Sequence, residues 1–342
     1  MNPKNIRFAH SNVHYYFNGS LKHLSKLAEK KTSVIITDDH VFAAHKDKMR
    51  GWNVITLKPG EEYKVQATVD AVIETLIEMQ ANRTTTLIGI GGGVITDLTG
   101  YIASIYMRGI RFGFVPTTLL AMVDAAIGGK NGIDVGEYKN MVGIIRQPAF
   151  LLYDQSLLQT LPTMHWADGF AEIIKHACIK DRSAFRILEQ NDLERIQQDK
   201  KMLSWIIQRN ALLKSKVVQQ DEFEVGERKL LNFGHTLGHA IETQYDLTHG
   251  QAVSLGMVYA ARLSELYLGF KDTEKIEKVL TQYGLPVAAS FKMEKVLTIL
   301  RMDKKRNSKY MNYIMLEKIG KGIIFPIELK TLEKQLLTIA RS

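Results

Sequence analysis

Residues 85–100 read TTLIGIGGGVITDLTG. The first half is a short apolar run. Three consecutive glycines, Gly91, Gly92 and Gly93, follow it, and a helical segment comes next. This order reads as a buried strand, a tight turn and a helix, the opening of a βαβ unit. Glycines at such a turn let the backbone approach a phosphate, and the helix N-terminus stabilises the anion. The GxGxxG spacing is absent, so the run alone is a moderate signal, with a plain strand-to-helix turn as the competing reading.

Outward from this stretch the pattern repeats. SVIITD (33–38) and NVITLK (53–58) read as strands before it; RFGFVP (111–116) and AFLLYD (149–154) read as strands after it. Residues 65–81 place Val65, Val69, Val72, Ile73, Leu76 and Ile77 at helical spacing. Strands alternating with helices predict a Rossmann-like α/β nucleotide-binding domain with a mainly parallel sheet over residues 1–162. Past about residue 160 long periodic segments dominate, at 164–180, 200–220, 229–245 and 250–269. They predict a mostly helical second domain over 163–342, with a short hairpin near 312–325.

Composition limits the function. Of 342 residues 45% are hydrophobic, an ordinary share that excludes disorder, collagen and a disulfide scaffold. Long uncharged apolar runs are missing, so no membrane span is expected. The start, MNPKNIRFAH, lacks the apolar region of a secretory signal. The single cysteine, Cys178, cannot form an internal disulfide, which suits a reduced, cytoplasmic protein. Lys and Arg exceed Asp and Glu, 45 against 36, for a net charge of +9. That favours anionic partners. The basic residues are scattered and carry no groove-reading motif, so a phosphorylated or carboxylated metabolite is expected rather than nucleic acid.

Three constellations carry chemistry. Asp38 ends a strand, and Glu61 and Lys64 follow Pro59-Gly60; such groups can meet a ribose, a phosphate or an adenine nitrogen. The segment PTTLLAMVDAAIGGKNGIDVGEYKNMVG (116–143) puts Asp124 in an apolar helical stretch, where a carboxylate is costly unless paired or functional. It then sets Lys130 on a flexible glycine turn and adds Lys139 and Asn140; with Arg108 upstream, these groups could hold a phosphate or carboxylate. The third is a histidine cluster. Glu172, Lys175 and His176 share one helical segment, His235 and His239 lie one turn apart, and His249 follows. One Glu and two His suit a catalytic Zn²⁺ with an open position. The spacing leaves open which two of His235, His239 and His249 bind, with His176 a fourth candidate.

In order, GGGVITDLTG, YMRGIRF, VPTTLLAMVDAAIGGKNGID, KNMVG, LPTMHWADGFAEIIK, DEFEVGERKLLNFGHTLGHAIE and HGQAVSLGM resemble the 3-dehydroquinate synthases, members of the sugar phosphate cyclases. The resemblance runs from about residue 34 to about 305. It implies a carbon–oxygen lyase of the shikimate pathway, a step of chorismate and aromatic amino acid biosynthesis, that uses NAD catalytically, holds Zn²⁺ (or Co²⁺) and forms a homodimer. It implies conversion of 3-deoxy-D-arabino-heptulosonate 7-phosphate to 3-dehydroquinate and phosphate. The metal ligands then fall on Glu172, His235 and His249, and His239 becomes a proton-handling group. Asp124, Lys130, Lys139, Lys175, Lys214, Glu224, Arg228 and Asn232 fall at the substrate. Arg108, Asn140, Lys304 and Lys305 fall at phosphate, with Arg108 serving the partner subunit. NAD positions fall on Asp38, Glu61, Lys64, Gly92, Gly93, Asp97, Thr117, Thr118, Lys130, Lys139, Thr160 and Leu161. Three departures stand out. Thr96 replaces the usual Gly, Asn131 the usual Thr, and Gln251 the usual Glu. Related cyclases making 2-epi-5-epi-valiolone or 2-deoxy-scyllo-inosose, and a metal-dependent polyol dehydrogenase, are the competing readings.

Overall fold

The computed structural model describes residues 2–136, 138–303 and 309–341. The chain forms two compact units. Met1–His165 and Ile207–Phe223 make the first; Trp166–Ile206 and Glu224–Ser342 make the second. A single boundary after residue 162, drawn from chain order, misses the return of 207–223 to the first unit.

The first unit runs β1 (Lys4–Arg7), β2 (Asn12–Tyr16), β3 (Ser33–Asp38), α1 (Asp39–His45), β4 (Asn53–Leu57), α2 (Gln66–Glu78), β5 (Thr86–Gly91), α3 (Gly93–Ile105), β6 (Arg111–Pro116), β7 (Lys130–Val135), β8 (Tyr138–Ile145) and β9 (Phe150–Leu152). Seven strands form one sheet in the order β1-β2-β9-β6-β5-β3-β4. Only the β1–β2 pair is antiparallel; the rest are parallel. Each of the five expected strands is present. β5 is buried at every position, as a central parallel strand covered on both faces must be. Ile35, Ile88, Ile90, Val115, Phe150 and Leu152 build one core cluster of this unit. The segment 116–143 differs from its expected loop. Ala121–Ala125 forms a single π turn, and β7 pairs with β8 in a separate two-stranded sheet. Gly-rich sequence hid this hairpin, because glycine weakens the alternating pattern that marks a strand.

The second unit is mainly helical: α4 (Thr163–Lys180), α5 (Arg182–Glu189), α6 (Leu193–Gln198), α7 (Lys200–Gln220), α8 (His235–Gln244), α9 (His249–Leu268), α10 (Thr273–Gln282), α11 (Met293–Asp303) and α12 (Leu329–Ile339). The first turn of α4 and the second half of α7 belong to the first unit. The hairpin expected near 312–325 is β10 (Tyr310–Lys318) paired with β11 (Lys321–Glu328). The segment expected as one helix over 229–245 is broken. A 3₁₀ turn covers Glu227–Asn232, and α8 starts only after Gly234, whose φ of 81° no ordinary side chain adopts cheaply.

Candidate active site

The ends of neighbouring strands in the first unit gather one constellation. β6, β5, β3 and β4 lie side by side, and chain order reverses between β3 and β5. Ligands of open parallel sheets bind beyond the strand ends at such a switch point. Most of the expected NAD residues follow these ends. Thr117 and Thr118 follow β6; Gly92, Gly93 and Asp97 follow β5; Asp38 closes β3; Glu61 and Lys64 follow β4; Thr160 and Leu161 follow β9. Lys130 and Lys139 lie instead on β7 and β8, both exposed. Lys130 opens a strand rather than a flexible turn.

Local bonding fixes these ends. The N–H of Thr117 donates to the Gly91 carbonyl at 2.9 Å, and Thr118 Oγ1 accepts from Ala121 N at 3.1 Å. Asp38 caps α1 by accepting from Val41 N at 2.9 Å. No side chain caps α3, which leaves its first N–H groups as donors for a phosphate. Thr160 Oγ1 lies 3.1 Å from His45 Nε2. This constellation fits a dinucleotide: donors at a helix start, with acidic groups on adjacent strand ends.

Lys64 is the hub of the network. It is 4% exposed, pairs with Asp97 at 2.7 Å and donates to Asn140 Oδ1 at 2.7 Å, with Glu61 3.6 Å away. Burial alone would lower its pKa, but the Asp97 and Glu61 carboxylates hold it above the ordinary lysine range. Asn140 N donates in turn to Asp134 Oδ1 at 2.6 Å. Asp124 pairs with Lys214 at 2.7 Å, and the same ammonium donates to the Asp124 carbonyl at 2.8 Å. Lys214 lies ninety positions downstream on α7, so this pair is a tertiary product.

A separate constellation lies within the second unit. Glu172 on α4 is fully buried. His235 Nε2 and His249 Nε2 each stand 3.3 Å from its Oε1. All three donors lie within 4.8 Å of one another. Tetrahedral ligands at 2.0–2.1 Å from Zn²⁺ are separated by about 3.3 Å, so the spacing fits a bound ion. The far sides of the rings fit as well. His235 Nδ1 lies 3.2 Å from the Phe233 carbonyl and His249 Nδ1 3.6 Å from Glu242 Oε2. Such partners hold the other nitrogen's lone pair toward a metal. Burial would raise the Glu172 carboxyl, but Lys175 and the two imidazoles hold it well below the usual carboxylate range. Burial would lower His249, yet its bonds to Glu172 and Glu242 raise it to about 10.

Packing at Gly234 and Gly256 brings His235 and His249 together. A Cβ on Gly256 of α9 would overlap the Gly234 carbonyl, so the start of α8 can touch α9 only across a glycine. His239 is exposed, with its ring 5.1 Å from that of His235, and His176 is buried on α4. Neither belongs to the Glu172–His235–His249 set.

The remaining expected residues also have places. Lys175 is buried and ion-paired with Glu172. Arg228 is buried in the 3₁₀ turn, and Asn232 Nδ2 donates to Glu224 Oε1 at 2.6 Å. Arg108 is exposed. Lys304 and Lys305 lie outside the described residues. Among the described residues six non-glycines have positive φ, and three of them are expected site residues: Arg108, Asn140 and Glu224.

The three departures have structural explanations. Gln251 Oε1 accepts from Thr248 N at 3.0 Å, completing a capping box at the start of α9, a task Gln performs as well as Glu. Asn131 Nδ2 donates to the Gly129 and Arg146 carbonyls at 2.7 and 2.9 Å and is buried, so it knits the β7–β8 hairpin. Thr96 Oγ1 donates to the Gly93 carbonyl inside α3.

Sequence reading missed Asp134, Glu242 and Asp168. Their signals were weak but present: Glu242 follows His239 by three, and Asp168 precedes Glu172 by one helical turn. Cys178 is buried, and burial pushes its thiol up. Folded protein should therefore react with iodoacetamide at least about 100-fold slower than protein in denaturant; equal rates would refute its inert placement.

Residues 54–168 match the family description "3-dehydroquinate synthase N-terminal" and residues 169–306 match "3-dehydroquinate synthase C-terminal". The 3-dehydroquinate synthase of Clostridium beijerinckii is 37% identical over 316 residues, covering 88% of this chain and 89% of that protein. A 2-epi-5-epi-valiolone synthase from Streptomyces hygroscopicus, solved with NAD⁺ and Zn²⁺ bound, is 25% identical with a TM-score of 0.87, covering 100% of this chain and 99% of that one. A 2-deoxy-scyllo-inosose synthase complexed with carbaglucose-6-phosphate, NAD⁺ and Co²⁺ is 26% identical with a TM-score of 0.86, covering 98% and 99%. Both family halves match in order across most of the chain, and the carboxylate–imidazole set lies within the second of them: the chain belongs to the 3-dehydroquinate synthase family.

Proposed function

We propose that this protein converts 3-deoxy-D-arabino-heptulosonate 7-phosphate to 3-dehydroquinate and phosphate. The observation that carries the reading is the in-order match to both family halves over residues 54–306 with the donor set complete. When bound, NAD⁺ supplies a transient oxidation that acidifies the neighbouring C–H, and Zn²⁺ or Co²⁺ lowers the pKa of substrate hydroxyls. Asp38, Glu61, Lys64, Gly92, Gly93, Asp97, Thr117, Thr118, Lys130, Lys139, Thr160 and Leu161 would hold the dinucleotide. Glu172, His235 and His249 would hold the metal.

The other groups bind anions and handle protons. Lys130, Lys139, Lys175, Lys214, Arg228 and Asn232 are assigned to substrate oxygens, Asp124 and Glu224 to orienting those cations and amides. Arg108, Asn140 and the Lys304-Lys305 pair are assigned to the phosphate. His239, exposed beside His235, is assigned to proton transfer at the reacting hydroxyl. In this scheme the departing phosphate removes the proton itself, and the protein mainly positions groups and stabilises charge. A substrate carrying both carboxylate and phosphate also accounts for the +9 charge.

Cytoplasmic location and a homodimer, with Arg108 serving the partner's site, complete the reading. Membership in this family supports both, and a lone cysteine, which allows no internal disulfide, suits the location. Among the described residues no helix is long and apolar enough to cross a membrane. Sedimentation tests the dimer; a monomer at assay concentration refutes it.

The deciding assay follows phosphate and 3-dehydroquinate from the heptulosonate phosphate with NAD⁺, with and without a chelator. Equal release of both products, lost with chelator and without net NADH, is expected. Net NADH from glycerol would favour a polyol dehydrogenase. Turnover only with another sugar phosphate would favour a related cyclase.

A further inference from the structure

The donor set spans helices α4, α8 and α9, and a metal tolerates only a few tenths of an ångström in ligand distance. Something must therefore fix the start of α9 against α4. Asp168, 5% exposed, lies on α4 one turn before Glu172. Its Oδ1 accepts from the backbone N–H of Gly250 at 3.0 Å and from the Thr248 hydroxyl. Thr248 and Gly250 flank His249, so one carboxylate oxygen grips both neighbours of a metal donor.

Three further observations point the same way. Thr248 is the N-cap of α9 and joins the capping box with Gln251. A negative charge at that end complements the helix dipole. A Cβ on Gly250 would overlap Asp168, so the contact is as close as backbone allows.

We infer that Asp168 is a positioning residue for the metal. It touches neither ion nor substrate, and it acts by holding His249 at its reach from Glu172. The inference rests on the reading that Glu172, His235 and His249 bind a divalent ion.

The test is Zn²⁺ affinity of the metal-stripped protein, read by competition with a chromophoric chelator, beside NAD⁺ affinity read by fluorescence. Asp168→Ala should weaken Zn²⁺ binding about 10- to 100-fold, the range for groups that orient metal ligands. Asp168→Asn keeps an acceptor oxygen for both donors and should stay within about threefold of wild type. NAD⁺ affinity should be unchanged in both, which a general loss of folding would not allow. Wild-type Zn²⁺ affinity in the alanine variant, or equal losses in both variants, would overturn the inference while leaving the metal reading intact. Wild-type protein that takes up no Zn²⁺ would overturn the metal reading and this inference with it. Should Asp168→Ala fail to fold, Gly250→Ala forces the same contact apart with Asp168 in place; unchanged Zn²⁺ affinity there overturns the inference equally.

Discussion

Glu172→Gln should lose stoichiometric metal, lose turnover by at least about 10³-fold and lose stability together. The metal effect follows from geometry, since Glu172 Oε1 is the atom that both His235 and His249 approach at 3.3 Å. Lewis-acid stabilisation is worth several kcal/mol, which sets the rate loss. The stability effect follows from burial. Glu172 is fully buried and Lys175 is 1% exposed, and the two are ion-paired. Removing one member of a buried pair costs about 3–5 kcal/mol, because the remaining charge keeps its desolvation penalty. Metal analysis and urea unfolding of metal-free protein separate the two effects. If the variant keeps metal, the ligand set is wrong. If it loses metal but unfolds with the wild type, the Glu172–Lys175 pair contributes nothing to the fold.

Lys64→Met should weaken NAD⁺ binding by roughly 10- to 100-fold, the value of one charged hydrogen bond at about 1.5–3 kcal/mol. Lys64 joins three separate chain segments. It follows β4, it meets Asp97 on α3, and it meets Asn140 on β8. Methionine fills the same space but leaves Asp97 and Glu61 near each other without the ammonium that now compensates them. The stability cost should be about 3 kcal/mol. Equilibrium NAD⁺ titration and denaturant midpoints are the measurements. Unchanged affinity would remove Lys64 from the cofactor residues and leave it a structural cation. Arginine at this position would not rescue, since its planar fork cannot reproduce a point charge held among three acceptors.

Both predictions concern networks of which the sequence showed only single members. Glu61 and Lys64 were visible as polar residues near a strand end, and Asp97 as an acid after a glycine turn. Their union at one ammonium was not visible, nor was Asp134, because a register between β7 and β8 places it. The departures at Gln251 and Asn131 met the same limit: one caps α9 and the other ties a hairpin, neither of which the family pattern alone displays. The family resemblance chose Glu172, His235 and His249 among the candidates; their donor atoms lie within 4.8 Å of one another, as do those of His239, Glu242 and His249.

What the amino-acid sequence determined by itself was local. Apolar runs bounded by glycine produced the five expected parallel strands. Helical periodicity produced α4, α7 and α9 nearly to the residue. These follow from backbone geometry and the burial of one face, which a window of ten or twenty residues contains. Tertiary structure alone decided the rest. It broke 229–245 at Gly234, added β1 and β2 at the sheet edge, and made a hairpin of a glycine-rich segment. It also brought three donors from three helices within 4.8 Å of one another. That last result depends on how closely α8 approaches α9 across Gly234 and Gly256, and on how Asp168 seats α9 upon α4. Distances between elements are set by close packing of side chains far apart in the chain, and no local period carries them.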